Sequence, residues 1–168
     1  MKVRPVCASD DVFEISSIYE QSWKYAYKDI VPKIFLDSIP EGKWEKHLGR
    51  KDMHHLVLEE EGRLIGTASC CASRWEYFDG FGEIVSIYLL PADLGKGKGA
   101  PLLRECLDLL AKDGYDRVML WVLEENLPAR HFYEKHGFVF SGEYRDDKIG
   151  GKTIREAAYT SYIGNGYM

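Results

Sequence analysis

Residues 81–103 read FGEIVSIYLLPADLGKGKGAPLL. Ile84 to Leu90 is a short apolar run rich in β-branched and aromatic side chains, the length of a buried strand. Pro91 has no N–H to give a sheet ladder, so the strand ends near it. Gly95, Gly97 and Gly99 then alternate with Lys96 and Lys98, and Ala100-Pro101 opens a helix with proline in its first turn. Glycines let backbone N–H groups crowd around one point. The following helix aims its free N–H groups and positive dipole end at the same point, and the lysines add charge. The pattern suits phosphate oxygens; the plainer alternative is a flexible turn. A mononucleotide P-loop needs Gly-Lys followed by Ser or Thr, but Gly97-Lys98 is followed by Gly99. A dinucleotide fingerprint needs G-x-G-x-x-G near the start of a βαβ unit, but here G-x-G-x-G comes late in the chain. A pyrophosphate-binding turn of another kind remains.

The flanking sequence is consistent with this centre. Leu103, Leu107 and Leu110 line one face of the helix, which ends near Asp113-Gly114. Val118 to Val122 is a second buried strand, expected parallel to the first. Asn126 is a natural N-cap, Pro128 suits the first turn, and Gly137 terminates a further helix. Phe138 to Tyr144 and Lys152 to Tyr162 read as an antiparallel pair, with Asp146-Asp147 and Gly150-Gly151 in the connection. Upstream, a strand over Met1 to Cys7 precedes a helix capped at Ser9-Asp10-Asp11 and running to about Tyr25. Short helices follow over Pro32 to Ile39 and near Trp44 to Lys51. His54 to Glu59 and Arg63 to Trp75 are two strands joined by a turn at Glu60-Glu61-Gly62. Arg74 to Gly80 is an aromatic loop carrying Trp75, Tyr77 and Phe78, suited to a substrate entrance or a subunit contact.

Two segments carry a resemblance. Leu94-Gly95-Lys96-Gly97-Lys98-Gly99 resembles the acetyl-coenzyme A (acetyl-CoA) signature Arg/Gln-x-x-Gly-x-Gly/Ala of the GNAT N-acyltransferase superfamily. It departs at Leu94, where that family has Arg or Gln to brace the loop, and at Lys98, where an apolar residue is common. Asn126 to Phe138 is very similar to the family's second cofactor motif, Asn-x-x-Ala-x-x-x-Tyr-x-x-x-Gly-Phe, without departure. The resemblance implies an α/β (α+β) fold, with a central mixed, mostly antiparallel sheet flanked by helices, in one N-acetyltransferase domain over residues 1–168. It also implies transfer of an acetyl group from acetyl-CoA to a primary amine by direct attack in a ternary complex. The acceptor is a small-molecule or peptide amine.

The site residues follow from chemistry and resemblance together. Leu94, Gly95, Lys96, Gly97, Lys98, Gly99 and Ala100 are expected to hold the pyrophosphate. In the family, the strand at Ile87, Tyr88 and Leu89 splays from its neighbour to leave an edge for the pantetheine amides, and its backbone donates to the thioester oxygen. Asn126 combines capping with a pantetheine contact. The acceptor must be a neutral amine, although an alkyl ammonium has a pKa near ~10. Glu83, on the central strand, is the candidate base. Alternation places it with Val85, Ile87 and Leu89, and burial would raise its pKa toward a useful range. The alternative is a solvated residue at a frayed strand start. Tyr133 matches the family's general acid for the leaving thiolate, against a plain core role; with pKa near ~10 against ~8.5 for the thiol, it is a slightly weak acid. Trp23 and Tyr27 either wall the acceptor site or pack the core.

Composition bounds the rest. The 168 residues suit one domain; hydrophobic residues are 45% and charged residues 29%. A net charge of −5 argues against a nucleic-acid binder. Asp146, Asp147 and Glu76 near the entrance lean toward a cationic acceptor. Cys7, Cys70, Cys71 and Cys106 show no C-x-x-C spacing and read as reduced thiols of a cytoplasmic protein. The histidines form no ligand motif, so no metal is expected. No apolar run approaches the ~20 residues of a membrane helix, and no secretory leader is expected. The resemblance and the aromatic loop point to a homodimer. The rival readings are a non-catalytic acyl-CoA-binding or sensor domain of the same fold and, more weakly, a nucleotide-dependent oxidoreductase.

Overall fold

The structure, a computed structural model, describes residues 1–164. Its strands are β1 (Lys2–Pro5), β2 (His54–Glu60), β3 (Arg63–Ala72), β4 (Gly82–Leu89), β5 (Arg117–Leu123), β6 (Val139–Ile149) and β7 (Lys152–Tyr162). Its helices are α1 (Val12–Ala26), α2 (Lys33–Asp37), α3 (Glu45–Leu48), α4 (Gly99–Lys112) and α5 (Leu127–Lys135), with 3-10 turns at Glu76–Phe78 and Pro91–Asp93. One seven-stranded sheet runs in the order β1-β2-β3-β4-β5-β7-β6. Every neighbouring pair is antiparallel except β4 and β5, which are parallel, as the βαβ reading expects.

The two sheet faces are covered by different helices. α4 buries Leu102, Leu103, Cys106, Leu107 and Leu110 against Leu56, Leu58, Ile84, Val118 and Leu120. Each such leucine contributes ~1.5–3 kcal/mol of gross burial free energy. On the opposite face, α1 packs Ile15 and Tyr19 against Val57, with Leu48 of α3 beside them. α1 begins where Asp11 accepts a hydrogen bond from the Phe13 N–H at 2.9 Å, a side-chain cap of a free helix-end donor. α2 closes a second cluster of Ile30, Val31, Leu36 and Ile39 against Leu123 and Ile154.

Three expectations change. β3 stops at Ala72 because Arg74 and Trp75 curl back onto Glu83. β6 continues through Asp146-Asp147 to Ile149, so these residues pair with Arg155 and Ile154 of β7 rather than lying in a connection. The reversal is made by Gly150 and Gly151 alone, at φ +60 and +81, the left-handed values a two-residue hairpin turn requires. The aromatic loop also folds inward. Phe78 is buried and Trp75 packs edge-on to Trp121, while Tyr77 stays exposed.

Candidate active site

A bulge in β4 sets the geometry. Ser86 lies opposite Ser69 while Ile84 lies opposite Cys70, which leaves Val85 as an extra residue. An extra residue reverses the side-chain phase beyond it. Ile84, Ile87 and Leu89 therefore face the α4 core, whereas Tyr88 faces Tyr19 of α1. The expectation that Glu83 shares a face with Ile87 and Leu89 is corrected: its carboxylate reaches Arg74 and Trp75 on the opposite side. β4 pairs with β5 only at Gly82–Val118 and Glu83–Met119, while β5 pairs with β7 along its whole length. Beyond Glu83 the two parallel strands separate and open a cleft beside Ile87, Tyr88 and Leu89. Ser22 of α1 donates to the Leu89 carbonyl at 2.6 Å and fixes the end of the strand.

The glycine loop follows the end of β4, after the 3-10 turn at Pro91–Asp93. Gly95 and Gly97 have φ +72 and +74, and a Cβ at either would meet nothing within 4 Å, so the backbone there is open to a ligand. α4 then begins at Gly99, whose missing Cβ lets the Phe132 ring approach to 3.2 Å of that position. Lys98 departs from the expected role. Its ammonium bonds Asp93 at 2.8 Å and also pairs with Glu60, so its charge is neutralised within the protein. It ties the loop to the end of β2, a brace in a loop whose Leu94 is partly exposed and cannot supply one. Lys96 makes no hydrogen bond or ion pair among the described residues. Asn126 caps α5 by accepting from the Ala129 N–H at 3.3 Å.

Tyr133 of α5 lies buried in the main core, and its hydroxyl has no partner among the described residues. Burial, with Tyr88 and Cys106 nearby, raises its pKa above the ordinary value. Tyr27 and Tyr88 share a hydrogen bond between hydroxyls at 3.3 Å. Burial pushes Tyr27 up to about 12 and Tyr88 well above its ordinary value. These phenols keep their protons at neutral pH. Tyr133 is thus a poorer acid than its ordinary value suggests, and a hydrogen-bond donor.

A cavity of ≈ 340 Å³ opens on the α1 side of β4. Tyr19, Trp23, Trp44, Ser86 and Tyr88 form its walls, with Lys43, His47, Arg74 and the bulged Val85. Trp23 is in the wall, its buried indole N–H without a hydrogen-bond partner among the described residues. Tyr27 stands behind, edge-on to Trp23 at 4.9 Å, among the α2 side chains.

Glu83 is 2% exposed and accepts four hydrogen bonds. They come from the Arg74 backbone N–H (3.0 Å), Arg74 Nε (3.0 Å), Arg74 Nη2 (2.7 Å) and Trp75 Nε1 (3.0 Å). A carboxylate has about four lone-pair sites, so all are filled. Burial pushes this carboxyl up, but Arg74 and Trp75 outweigh it and hold the pKa below its ordinary value. The expectation that burial lifts Glu83 into the range of a general base is therefore corrected.

A buried polar chain leads away from the cavity. Ser69 Oγ is within 3.0 Å of Tyr19 Oη, 3.2 Å of His47 Nε2 and 2.9 Å of His55 Nδ1. His55 Nε2 lies 3.1 Å from the Arg50 carbonyl, which only accepts. A neutral His55 therefore carries its hydrogen on Nε2, and its Nδ1 accepts from Ser69. The one Ser69 hydrogen being used, Tyr19 and His47 Nε2 both donate to Ser69. Burial first, then His55, Arg50 and Arg74, lower the His47 pKa to about 4, so the ring is neutral with Nδ1 unprotonated. Neither Arg74 nor His47 belongs to a sequence motif. The readable signal was a basic residue immediately before a predicted loop aromatic, and a histidine within an aromatic helix.

No group of three or more metal-ligating side chains occurs among the described residues, and no described helix is long and apolar enough to cross a membrane. Residues 13–138 match the model of the Acetyltransferase (GNAT) family. The uncharacterized N-acetyltransferase YuaI of Bacillus subtilis is 28% identical over 129 residues, covering 76% of this chain and 74% of that protein. An uncharacterized N-acetyltransferase of Archaeoglobus fulgidus is 30% identical over 132 residues, 74% of this chain and 84% of that protein. The crystal structure of PaiA N-acetyltransferase from Thermoplasma acidophilum, in complex with coenzyme A, has a TM-score of 0.74 over 96% of this chain and 98% of that one; at 20% identity this is a likeness of fold. With the family model spanning most of its length, this chain belongs to the GNAT acetyltransferase family.

Proposed function

We propose that this protein moves an acetyl group from acetyl-CoA to a primary amine by direct attack within a ternary complex. The observation that carries the reading is the cleft between β4 and β5. The open glycine loop and the start of α4 follow the end of β4, and the aromatic cavity lies against Val85, Ser86 and Tyr88 of the same strand. Pyrophosphate at Gly95 to Ala100 would meet backbone N–H groups, the positive end of α4 and the unpaired Lys96. The pantetheine arm would lie along Ile87, Tyr88 and Leu89, with Asn126 beside it. The amine nitrogen attacks the thioester carbonyl carbon from the cavity side. A backbone N–H near the bulge stabilises the developing oxyanion, a contribution of ~3 kcal/mol. As the carbon–sulfur bond breaks, Tyr133 donates a hydrogen bond to the departing thiolate. Glu83 has no vacant lone pair; its role is to hold Arg74, and the amine proton leaves through cavity water. The reduced Cys70, Cys71 and Cys106 support a cytoplasmic setting.

The test is thiol release from acetyl-CoA with a panel of primary amines, and mass spectrometry of the products. Acetylated amine formed in step with free thiol is the expected result. Acetyl-CoA binding without thiol release would instead mark a non-catalytic cofactor-binding module.

A further inference from the structure

The charge of the acceptor cavity is the reverse of what the acidic residues of the sequence suggest. Asp146 is paired with Arg155 on the β6–β7 hairpin, and neither Asp146, Asp147 nor Glu76 lines the cavity. Its lining includes two cationic side chains, Lys43 and Arg74, and no carboxylate. Glu83 engages the Nε/Nη2 edge of the Arg74 guanidinium. The Nη1 end has no partner among the described residues, and a guanidinium with five donors can hold a second carboxylate there. The Lys43 ammonium lies over the rings of Phe35 at 5.2 Å, Trp44 at 5.3 Å and Trp23 at 5.8 Å, with no carboxylate beside it. Arg74 and Glu83 cancel, so the positive charge of Lys43 is left without a counter-ion. On the other side, the hydrogen-bond chain through Ser69 fixes His47 with its hydrogen on Nε2. Its Nδ1 lone pair has no partner among the described residues and is not among their buried unpaired atoms, so it is open to a donor.

We propose that the acceptor is a small amine that also carries a carboxylate. The carboxylate is held by the free end of Arg74 and by Lys43, and His47 Nδ1 accepts an N–H of the amine. The inference rests on the acetyltransferase reading of the same cavity. A cavity of ≈ 340 Å³ suits a molecule of amino-acid size. A polyamine would bring its second charge against Arg74 and Lys43.

The experiment compares matched acceptors: L-leucine, L-phenylalanine and 4-aminobutyrate, each against its amide, with spermidine as a polycation. The readout is kcat/KM for thiol release. At least one carboxylate acceptor should exceed its amide by about tenfold or more. Lys43→Gln should shrink that ratio and Lys43→Arg should keep it. His47→Gln should lower turnover of the amino acid and its amide alike, because it removes the acceptor for the amine. His47→Asn, which places a carbonyl oxygen near the Nδ1 position, should recover part of the loss. Thermal stabilisation by acetyl-CoA should be the same in all four variants and shows that they fold. Spermidine or the amides outpacing every carboxylate acceptor would overturn the inference while leaving the acetyltransferase reading intact. Thiol release from no amine, with no binding of acetyl-CoA, would remove that reading and this inference with it.

Discussion

Replacing Glu83 by Gln separates a structural carboxylate from a catalytic base. The substitution keeps the volume, so its effect is electrical. Four donors converge on the native carboxylate, and the amide meets two of them with its own N–H hydrogens. Arg74 also loses its counter-charge. Removing one partner of a buried ion pair costs ~3–5 kcal/mol. The Arg74 side chain is 39% exposed, and solvent screens part of the loss, so we expect ~2–3 kcal/mol. At ~2–4 °C per kcal/mol for a chain of this size, Tm should fall by ~4–12 °C at pH 7. The pH dependence has a definite sign. Glu83 is held below its ordinary 4.5 when folded, so on acidification the unfolded chain takes up the proton first. The stabilisation is present above 4.5 and is lost as the pH falls through the folded pKa. The gap in stability between wild type and Glu83→Gln should therefore close on acidification below 4.5. Urea unfolding across a pH series measures it. Equal stability of the two proteins at pH 7, with a collapsed kcat and a lost basic limb in the pH profile, would refute the reasoning and restore Glu83 as a base.

Three further outcomes are expected. Lys98→Ala removes the cation between Asp93 and Glu60 and should weaken acetyl-CoA binding about tenfold, ~1.4 kcal/mol, with kcat nearly unchanged; an unaltered Kd by calorimetry would show that the loop holds without this brace. Tyr133→Phe should lower kcat by roughly 10²-fold while Tm stays put, since its hydroxyl has no partner to lose; an undiminished kcat would return Tyr133 to the core. Gly66→Ala puts a Cβ 2.6 Å from Leu89 Cδ2 and 3.1 Å from the Tyr88 carbonyl oxygen. It should cost ~1–3 kcal/mol by overpacking against β4, and a neutral result in urea unfolding would mean that β4 yields freely.

What could be read from the chain was what local chemistry determines. The glycines at 95, 97 and 99 pointed to a loop that leaves backbone N–H groups open, Asn126 to a helix cap, and the leucine stripe of α4 to a crossover onto a parallel neighbour. Each depends on residues within one turn or one helix. What could not be read depends on pairing across the sheet. The bulge at Val85 exists only as a mismatch between β3 and β4, and no window of β4 alone contains it. Missing it put Glu83 on the wrong face and hid the guanidinium that fills its lone pairs. Lys98 looked like a phosphate ligand because Glu60, 38 positions earlier, is brought beside it only by the fold. His47 looked unremarkable because its tautomer is set by Ser69 and His55 on two different strands.

The most direct test of the central claim is thermal unfolding of the protein with acetyl-CoA, and with NAD and ATP as controls. A ligand at 100 times its Kd adds ~2.7 kcal/mol to the folded state, or ~5–11 °C for a chain of this length. The account predicts a shift of that size with acetyl-CoA alone. No shift at millimolar acetyl-CoA, or an equal shift with ATP or NAD, would contradict it.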